Sequence, residues 1–364
     1  MTIRKEAVRH IIGRCGFALL AAVLVLFGWK VALSAIQSRI LPPDAERLLN
    51  DWIDQTAMLT AEGQLEFLKQ HLENVADKEE NIIQAYHLND DVWLQAVGQF
   101  HQQVNNRRIV SGWIRQARTG SGFFGSTLPN NFIERQMDYA GLSEPGLVHE
   151  TRWQTFFYLR DNRMFFLIVF ALIIIVQGPR AESGFDRLQQ TLPGGKNLRR
   201  WEMLLLLIFL IFLLIAEFGL DLWLSGIGLD SRDLMYSIQS ILDFQSSLAG
   251  MTLDDVLIWL PVLDLAALIF TVMLTRFVLL KTREIKRTVV ICIGLTLFLN
   301  SLFKAVPELS GWFLPLRPVA SDLFCHARPL FGGKTTSLAF ALLIAAGLSV
   351  LSAFAPDFKR RICT

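Results

Sequence analysis

Long apolar runs separated by charged stretches set the pattern of this chain. Cys15–Ile36, Met203–Leu224, Leu257–Leu280 and Ser337–Phe354 each come close to the roughly 20 helical residues that cross a hydrocarbon core about 30 Å thick. Met164–Gly178 and Thr288–Phe303 are shorter, and a flanking turn extends each to spanning length. The pattern predicts an all-α integral membrane protein with about six transmembrane helices. Between the first two runs, Gln37–Asn162 is polar, domain-sized and helical in its period. Pro42-Pro43-Asp44 opens a helix with Leu48, Leu49, Trp52 and Ile53 on one face. Thr60 opens a second, carrying Leu65, Leu68, Leu72 and Val75, and a third runs from about Asp90 to Arg118 through Trp93, Phe100, Val104 and Trp113. Thr119-Gly120-Ser121-Gly122 breaks the chain, Asn130 or Asn131 caps a fourth helix through Tyr139, and Arg152–Asp161 leads into the second span. No alternating strand pattern of useful length occurs. The expected organisation is a first span in 1–36, a helical extracytoplasmic domain in 37–162 and a five-helix transmembrane domain in 163–364.

Composition changes this picture little: 52% of the 364 residues are hydrophobic, just above the 45–50% of soluble chains, so their clustering is what decides. Charge adds orientation, because Lys and Arg near span ends favour the cytoplasmic side. Arg4, Lys5, Arg9 and Arg14 precede the first span, Arg180, Arg187, Lys196, Arg199 and Arg200 follow the second, and Arg276, Lys281, Arg283, Lys286 and Arg287 follow the fourth. With Lys359, Arg360 and Arg361 at the end, six spans put all of these on one side, whereas Ser225–Asp255 holds Arg232 as its lone basic residue. Both termini are expected in the cytoplasm, with the protein multi-pass in the plasma (inner) membrane. Lys304–Thr336 fits less well, since it is basic yet expected outside; its apolar, proline-bearing Trp312–Pro318 reads as a re-entrant or interfacial segment. The first run is longer than a signal-peptide core and lacks a small-x-small cleavage site, so it reads as a retained anchor. The four cysteines leave Gln37–Asn162 without any, which excludes a disulfide scaffold there.

Chemical motifs are sparse. Gly332-Gly333-Lys334-Thr335 ends like a phosphate loop, but Arg328 stands where that motif needs its first glycine. No zinc-protease helix, metal cluster or nucleophile turn occurs, so no catalytic residue, cofactor or metal is assigned and an enzyme is not expected. Nothing points to nucleic acid. Ionisable residues inside spans are the sharper signal, because charge in hydrocarbon is costly. Glu217 and Asp221 lie four apart on one face of the third span, Asp264 lies in the fourth near Pro261, and Asn300 lies in the fifth. They would line a substrate path or carry protons; alternatively they sit near the outer interface, hydrated or paired. Lys30 reads as a snorkelling residue at the outer end of the first span. The loop 177–202 combines a short amphipathic stretch, Phe185, Leu188 and Leu192, with Pro193-Gly194-Gly195 and a basic cluster. It reads either as an interfacial helix with positive anchors or as a docking element for a cytosolic partner.

In this loop Glu182, Gly184, Thr191, Pro193 and Lys196 follow the order of a glutamate, a glycine, a helical turn, a Thr-Pro-like element and a basic residue. With one span, an extracytoplasmic insert and five more spans, the chain resembles the permease subunits of ABC exporters of the second export class. Ile114-Arg115-Gln116-Ala117, Phe123-Phe124 and Asp138-Tyr139 are similar to segments of bacterial permeases with large inserts. Thr191-Leu192-Pro193 departs from the adjacent Thr-Pro of the family. The resemblance implies that Glu182, Gly184, Phe185, Leu188, Thr191, Pro193 and Lys196 form the coupling loop on a cytosolic ABC ATPase subunit. It also implies pairing with a second permease copy or a homologous permease, within membrane lipid. Peptide, lipid-like and polysaccharide-precursor cargoes all stay open. The competing reading is a membrane-anchored sensor or interaction protein whose extracytoplasmic domain binds a ligand or partner.

Overall fold

The computed structural model describes residues 2–37, 41–71, 90–120, 136–161, 164–183, 195–229, 231–247 and 250–305. Its helices are α1 (Thr2–Gln37), α2 (Pro43–Thr56), α3 (61–71), α4 (Asp90–Thr119), α5 (Gln136–Ala140), α6 (Glu150–Arg160), α7 (Met164–Glu182), α8 (Gly195–Ser225), α9 (Leu253–Thr282) and α10 (Ile285–Ala305). Three 3-10 turns, Arg232–Met235, Ile238–Ser240 and Leu242–Phe244, connect α8 to α9. Among the described residues there is no strand, only an isolated bridge between Ser237 and Thr252.

Four stretches among the described residues are long and apolar enough to cross a membrane: Gly16–Gln37, Glu150–Glu182, Trp201–Ser225 and Leu253–Thr282. The second joins two unlike parts. Its apolar part is α7, which rises about 28 Å and so matches the hydrocarbon thickness without help. Its first part, α6, carries Glu150, Arg152 and Arg160 and packs on the 3-10 turns, α8 and the start of α9. The fifth apolar run lies within α10, and the sixth, Ser337–Phe354, lies outside the described residues together with Trp312–Pro318. The finding is therefore an all-helical architecture with four candidate spans.

The spans pack around Leu26 of α1, Phe165, Val169 and Ile173 of α7, Leu206, Leu210 and Leu213 of α8, and Ala267, Leu268 and Val272 of α9. Their other faces leave large apolar side chains uncovered, including Phe17, Leu24, Phe212, Ile215, Val290 and Leu297. A helix that is apolar all round suits a lipid surround, where only the packed seam needs shape complementarity. Between α9 and α10 the chain turns in two residues, with Arg283 in the left-handed region at φ 57° and its N–H bonded to Leu279 O. Gly178 lets α7 approach this turn closely, since a Cβ there would sit 2.7 Å from Ile285 Cγ1.

The segments between α1 and α7 form a second body of packed helices. The face predicted for α2 is the buried one: Leu48, Leu49, Trp52 and Ile53 meet Leu68 of α3 and Phe100 and Val104 of α4. Pro43 occupies the first turn, where its missing N–H goes unused. Further along α4, Val110, Trp113 and Ile114 pack with Tyr139 and Leu142. A third cluster joins Trp153, Phe156 and Phe157 of α6 to Ile238, Ile241 and Phe244 of the turns and to Leu253 and Val256 of α9. The start of α9 is fixed by a reciprocal cap, Thr252 accepting from Asp255 N while the Asp255 carboxylate accepts from Thr252 N.

Candidate functional site

Charged groups gather in two layers of the bundle. From Glu202 to Asp221 along α8 the rise is about 28 Å, and from Asp264 to Thr282 along α9 about 27 Å, so the layers stand roughly one hydrocarbon thickness apart.

The first layer is buried. Lys30 of α1 is fully enclosed, and its ammonium donates to Leu159 O at 2.7 Å and to Asp221 Oδ1 at 2.8 Å, with Glu217 Oε1 at 2.9 Å. An ammonium has three protons, and here three acceptors from two other helices meet them. Glu217 and Asp221 do share a face of α8, and that face points at Lys30. The expectation of a snorkelling Lys30 is thus corrected: its stem and head are both interior, held by two enclosed carboxylates. One residue beyond Leu159, Arg160 makes a forked ion pair with Asp264 of α9, Nη2 donating to Oδ1 at 2.9 Å, and also donates to Leu260 O at 3.3 Å. Both Arg160 and Asp264 are enclosed. The layer thus ties α1, α6, α8 and α9 together at one height. Removing one partner of such a pair leaves an uncompensated buried charge, which costs about 3–5 kcal/mol. Asn300 falls in α10, apart from these residues in sequence, and its side chain is outside the described set.

The second layer joins the end of α7 and the start of α8 to the α9–α10 turn. Arg180 of α7 pairs with Glu202 of α8. The Glu182 carboxylate accepts from Ile285 N at 2.8 Å, capping the first turn of α10 from a neighbouring helix. Thr282 and Thr288 share a hydroxyl contact of 2.7 Å across the α9–α10 turn. Of the residues proposed for docking, Gly184, Phe185, Leu188, Thr191 and Pro193 lie outside the described residues, and Lys196 lies in the first turn of α8. Glu182 therefore has an internal partner that sequence reasoning did not foresee.

A third polar group, missed from sequence, lies where the body between α1 and α7 meets the connection from α8 to α9. Asp233 accepts from His149 N at 2.9 Å, from Trp153 Nε1 at 3.3 Å and contacts His149 Nδ1 at 3.0 Å. Burial works to raise the Asp233 carboxyl, but the bonds and charge of His149, with Trp153, outweigh it and hold it below its ordinary value. Asp54 of α2 reaches the same place, 3.8 Å from His149 Nε2 and 3.0 Å from Arg232 Nη2. Next along α6, Glu150 is 1% exposed and accepts from Leu242 N at 3.0 Å and Gln154 Nε2 at 3.2 Å. Burial pushes its carboxyl up to about 7 against the Leu242 bond, and Asp243 adds to the rise. Glu150 opens the Glu150–Glu182 stretch, in its polar part ahead of the apolar helix α7. Asn106 Nδ2 donates to Gln239 O at 3.0 Å, Thr151 Oγ1 to Glu46 Oε1 at 3.0 Å, and Gly146 N to Ser240 Oγ at 3.0 Å, so the joint is bonded along its length. Gly146 is required there, because a Cβ would meet the Tyr236 ring at 2.3 Å. Single-sequence signals for these pairings are weak: the partners lie far apart in the chain and carry no fixed spacing.

No group of three or more His, Cys, Asp or Glu among the described residues is arranged to hold a metal ion. Neither a protein-family model, a curated protein nor a solved structure matches this chain.

Proposed function

We propose that the chain is the membrane-spanning permease subunit of an ATP-driven ABC export system, with six spans, both termini cytoplasmic and the body between α1 and α7 outside. In this reading the layer of Lys30, Glu217, Asp221, Arg160 and Asp264 lies at the outer boundary, and the layer of Arg180, Glu202 and Glu182 at the cytoplasmic boundary. The observation that carries it is the fastening of α7, α8 and α10 around the two ends of the 184–194 segment, by Arg180–Glu202 and Glu182–Ile285. A force applied to that segment by a closing ATPase reaches three helices at once. The basic residues of the same loop support its cytoplasmic placement. The permease itself performs no covalent step; hydrolysis belongs to the partner, and the work is alternation between two packings that bind cargo differently.

The test is affinity capture of the full chain from its native membrane in mild detergent, comparing wild type with Phe185→Ala combined with Leu188→Ala. Glu182 is left intact because its carboxylate caps α10. Wild type is expected to bring down a cytosolic ATPase, and the double variant to lose most of it. A folded wild-type protein that captures no ATPase overturns the permease reading and favours the sensor or interaction protein. Equal capture by the variant keeps the permease and removes docking from this loop.

A further inference from the structure

We propose that the turn at the end of α8, with Arg152 of α6 beside it, is a lipid-binding site that takes the phosphate headgroup of a membrane phospholipid. Exposed aromatic side chains on three helices mark its height. Trp29 is exposed next to enclosed Lys30, and Tyr158 is exposed next to Leu159, whose carbonyl accepts from Lys30. Trp223 is 74% exposed, two residues beyond Asp221. Helices α1, α6 and α8 thus carry Trp or Tyr outward at the level where their polar groups pair inward. Trp and Tyr gather at the membrane–water boundary, because the ring is apolar and its N–H or O–H needs a polar partner. On α8, Trp223 also continues the uncovered stripe of Leu204, Ile208, Phe212, Ile215 and Gly219, whose spacing of three and four keeps one helix face. The apolar surface of the span therefore runs on to this turn.

Past Trp223 the chain folds back on the helix end. Gly226 takes φ +71°, its N–H donates to Trp223 O, and the Ile227 N–H donates to Leu222 O. About 6 Å of helical rise separates Asp221 from Ser225, so the turn stands in the headgroup layer of roughly 5–8 Å that borders the hydrocarbon. The connection that follows suits this layer better than water. It encloses Asp233, Ser237, Gln239 and Ser240, whereas Leu229 and Met235 are 74% and 80% exposed. Arg152 supplies the cation. Its Cδ lies 4.0 Å from where a Cβ on Gly226 would stand, so its side chain rests against the turn. It is partly exposed and makes no ion pair among the described residues, whereas Arg160 pairs with Asp264 and Arg232 with Asp54. At headgroup depth a guanidinium meets phosphate oxygens, which accept its forked donors in pairs. The site thus matches both parts of a lipid, Arg152 taking the phosphate and Trp223 with Leu229 the upper acyl chain. Since Arg232–Asp54 and His149–Asp233 fasten the same connection to α2 and α6, a lipid held here steadies the joint on the membrane surface. This inference rests on the spans and not on the permease reading.

Spin-label accessibility tests this on the full chain in nanodiscs of phosphatidylcholine and phosphatidylglycerol, with Cys15, Cys292, Cys325 and Cys363 replaced by serine. The reference is a label at Met137→Cys, an exposed position in the body between α1 and α7. A label at Leu229→Cys is expected to collide severalfold less with an aqueous nickel chelate than the reference, and more with oxygen. Adding Arg152→Gln is expected to raise nickel collision at the Leu229 position severalfold, because the hold on the headgroup is lost. Nickel collision equal to the reference overturns the site, and so does a value that Arg152→Gln leaves unchanged. Low collision with both reagents, with spin–spin broadening that vanishes on dilution by unlabelled chain, assigns this face to a second copy and overturns the lipid reading. Where a labelled variant fails to fold, quenching of tryptophan fluorescence by lipids brominated near the headgroup takes its place. Trp223→Phe is expected to remove a clear share of that quenching, and undiminished quenching overturns the site.

Discussion

Lys30 concentrates the energetic problem of this protein in one side chain. Its ammonium is enclosed and stands against two enclosed carboxylates, so its removal leaves Glu217 and Asp221 facing each other without a cation. Lys30→Met is expected to destabilise the bundle by about 3–5 kcal/mol, seen as a large fall in the thermal unfolding midpoint in detergent. Adding Glu217→Gln and Asp221→Asn is expected to recover most of the loss, because the triple variant buries no charge there. A single variant as stable as wild type would mean that water, not Lys30, compensates the carboxylates. The sequence made Glu217 and Asp221 visible as two acids four apart on an apolar helix, since α-helical spacing alone puts them on one face. It left their partner hidden. Lys30 lies on another helix, and a lysine near the end of an apolar run has the same local signature whether it reaches outward or inward. Arg160, His149 and Glu150 were hidden for a related reason: each is one polar residue in an ordinary stretch, and its meaning comes from long-range packing.

Elements were more legible than pairings. The faces of α2 and α4 followed from apolar periodicity, because those helices bury one stripe against each other. The 3-10 turns of 232–244 were not foreseen: runs this short have no period, and their buried residues Ile238, Ile241 and Phe244 are defined by the α6 surface they fill. Contact between α7 and α10 was also invisible, because it rests on the lack of a side chain at Gly178. Gly178→Ala is expected to push Ile285 away and cost about 1–3 kcal/mol in stability. Pairing it with Ile285→Ala is expected to relieve part of that cost, so a double-mutant cycle by thermal unfolding should give clear non-additivity. Additive effects would show that the two helices do not meet there. In the permease reading the same contact helps carry motion from the coupling loop into α10.

For the whole molecule, hydropathy marked the stretches that stand as four candidate spans among the described residues, because a bilayer demands the same thing of every crossing helix, length and apolarity. It revealed function poorly, because the chain contains no reactive motif and its polar work is done by pairs assembled from distant segments. The charge pattern supplies the account's central claim, an arrangement with the body between α1 and α7 on one side and the Arg180–Glu202 layer toward the other. Labelling of single cysteines tests it most directly, in a background with Cys15, Cys292, Cys325 and Cys363 replaced by serine. Met58 and Met137 are 86% and 91% exposed in the body between α1 and α7, and Lys286 is exposed at the start of α10. In sealed spheroplasts a membrane-impermeant maleimide is expected to label Met58→Cys and Met137→Cys, and to reach Lys286→Cys only after the membrane is opened. Labelling of Lys286→Cys in sealed spheroplasts, with Met58→Cys and Met137→Cys protected, would invert the topology and remove the basis for a cytoplasmic coupling loop.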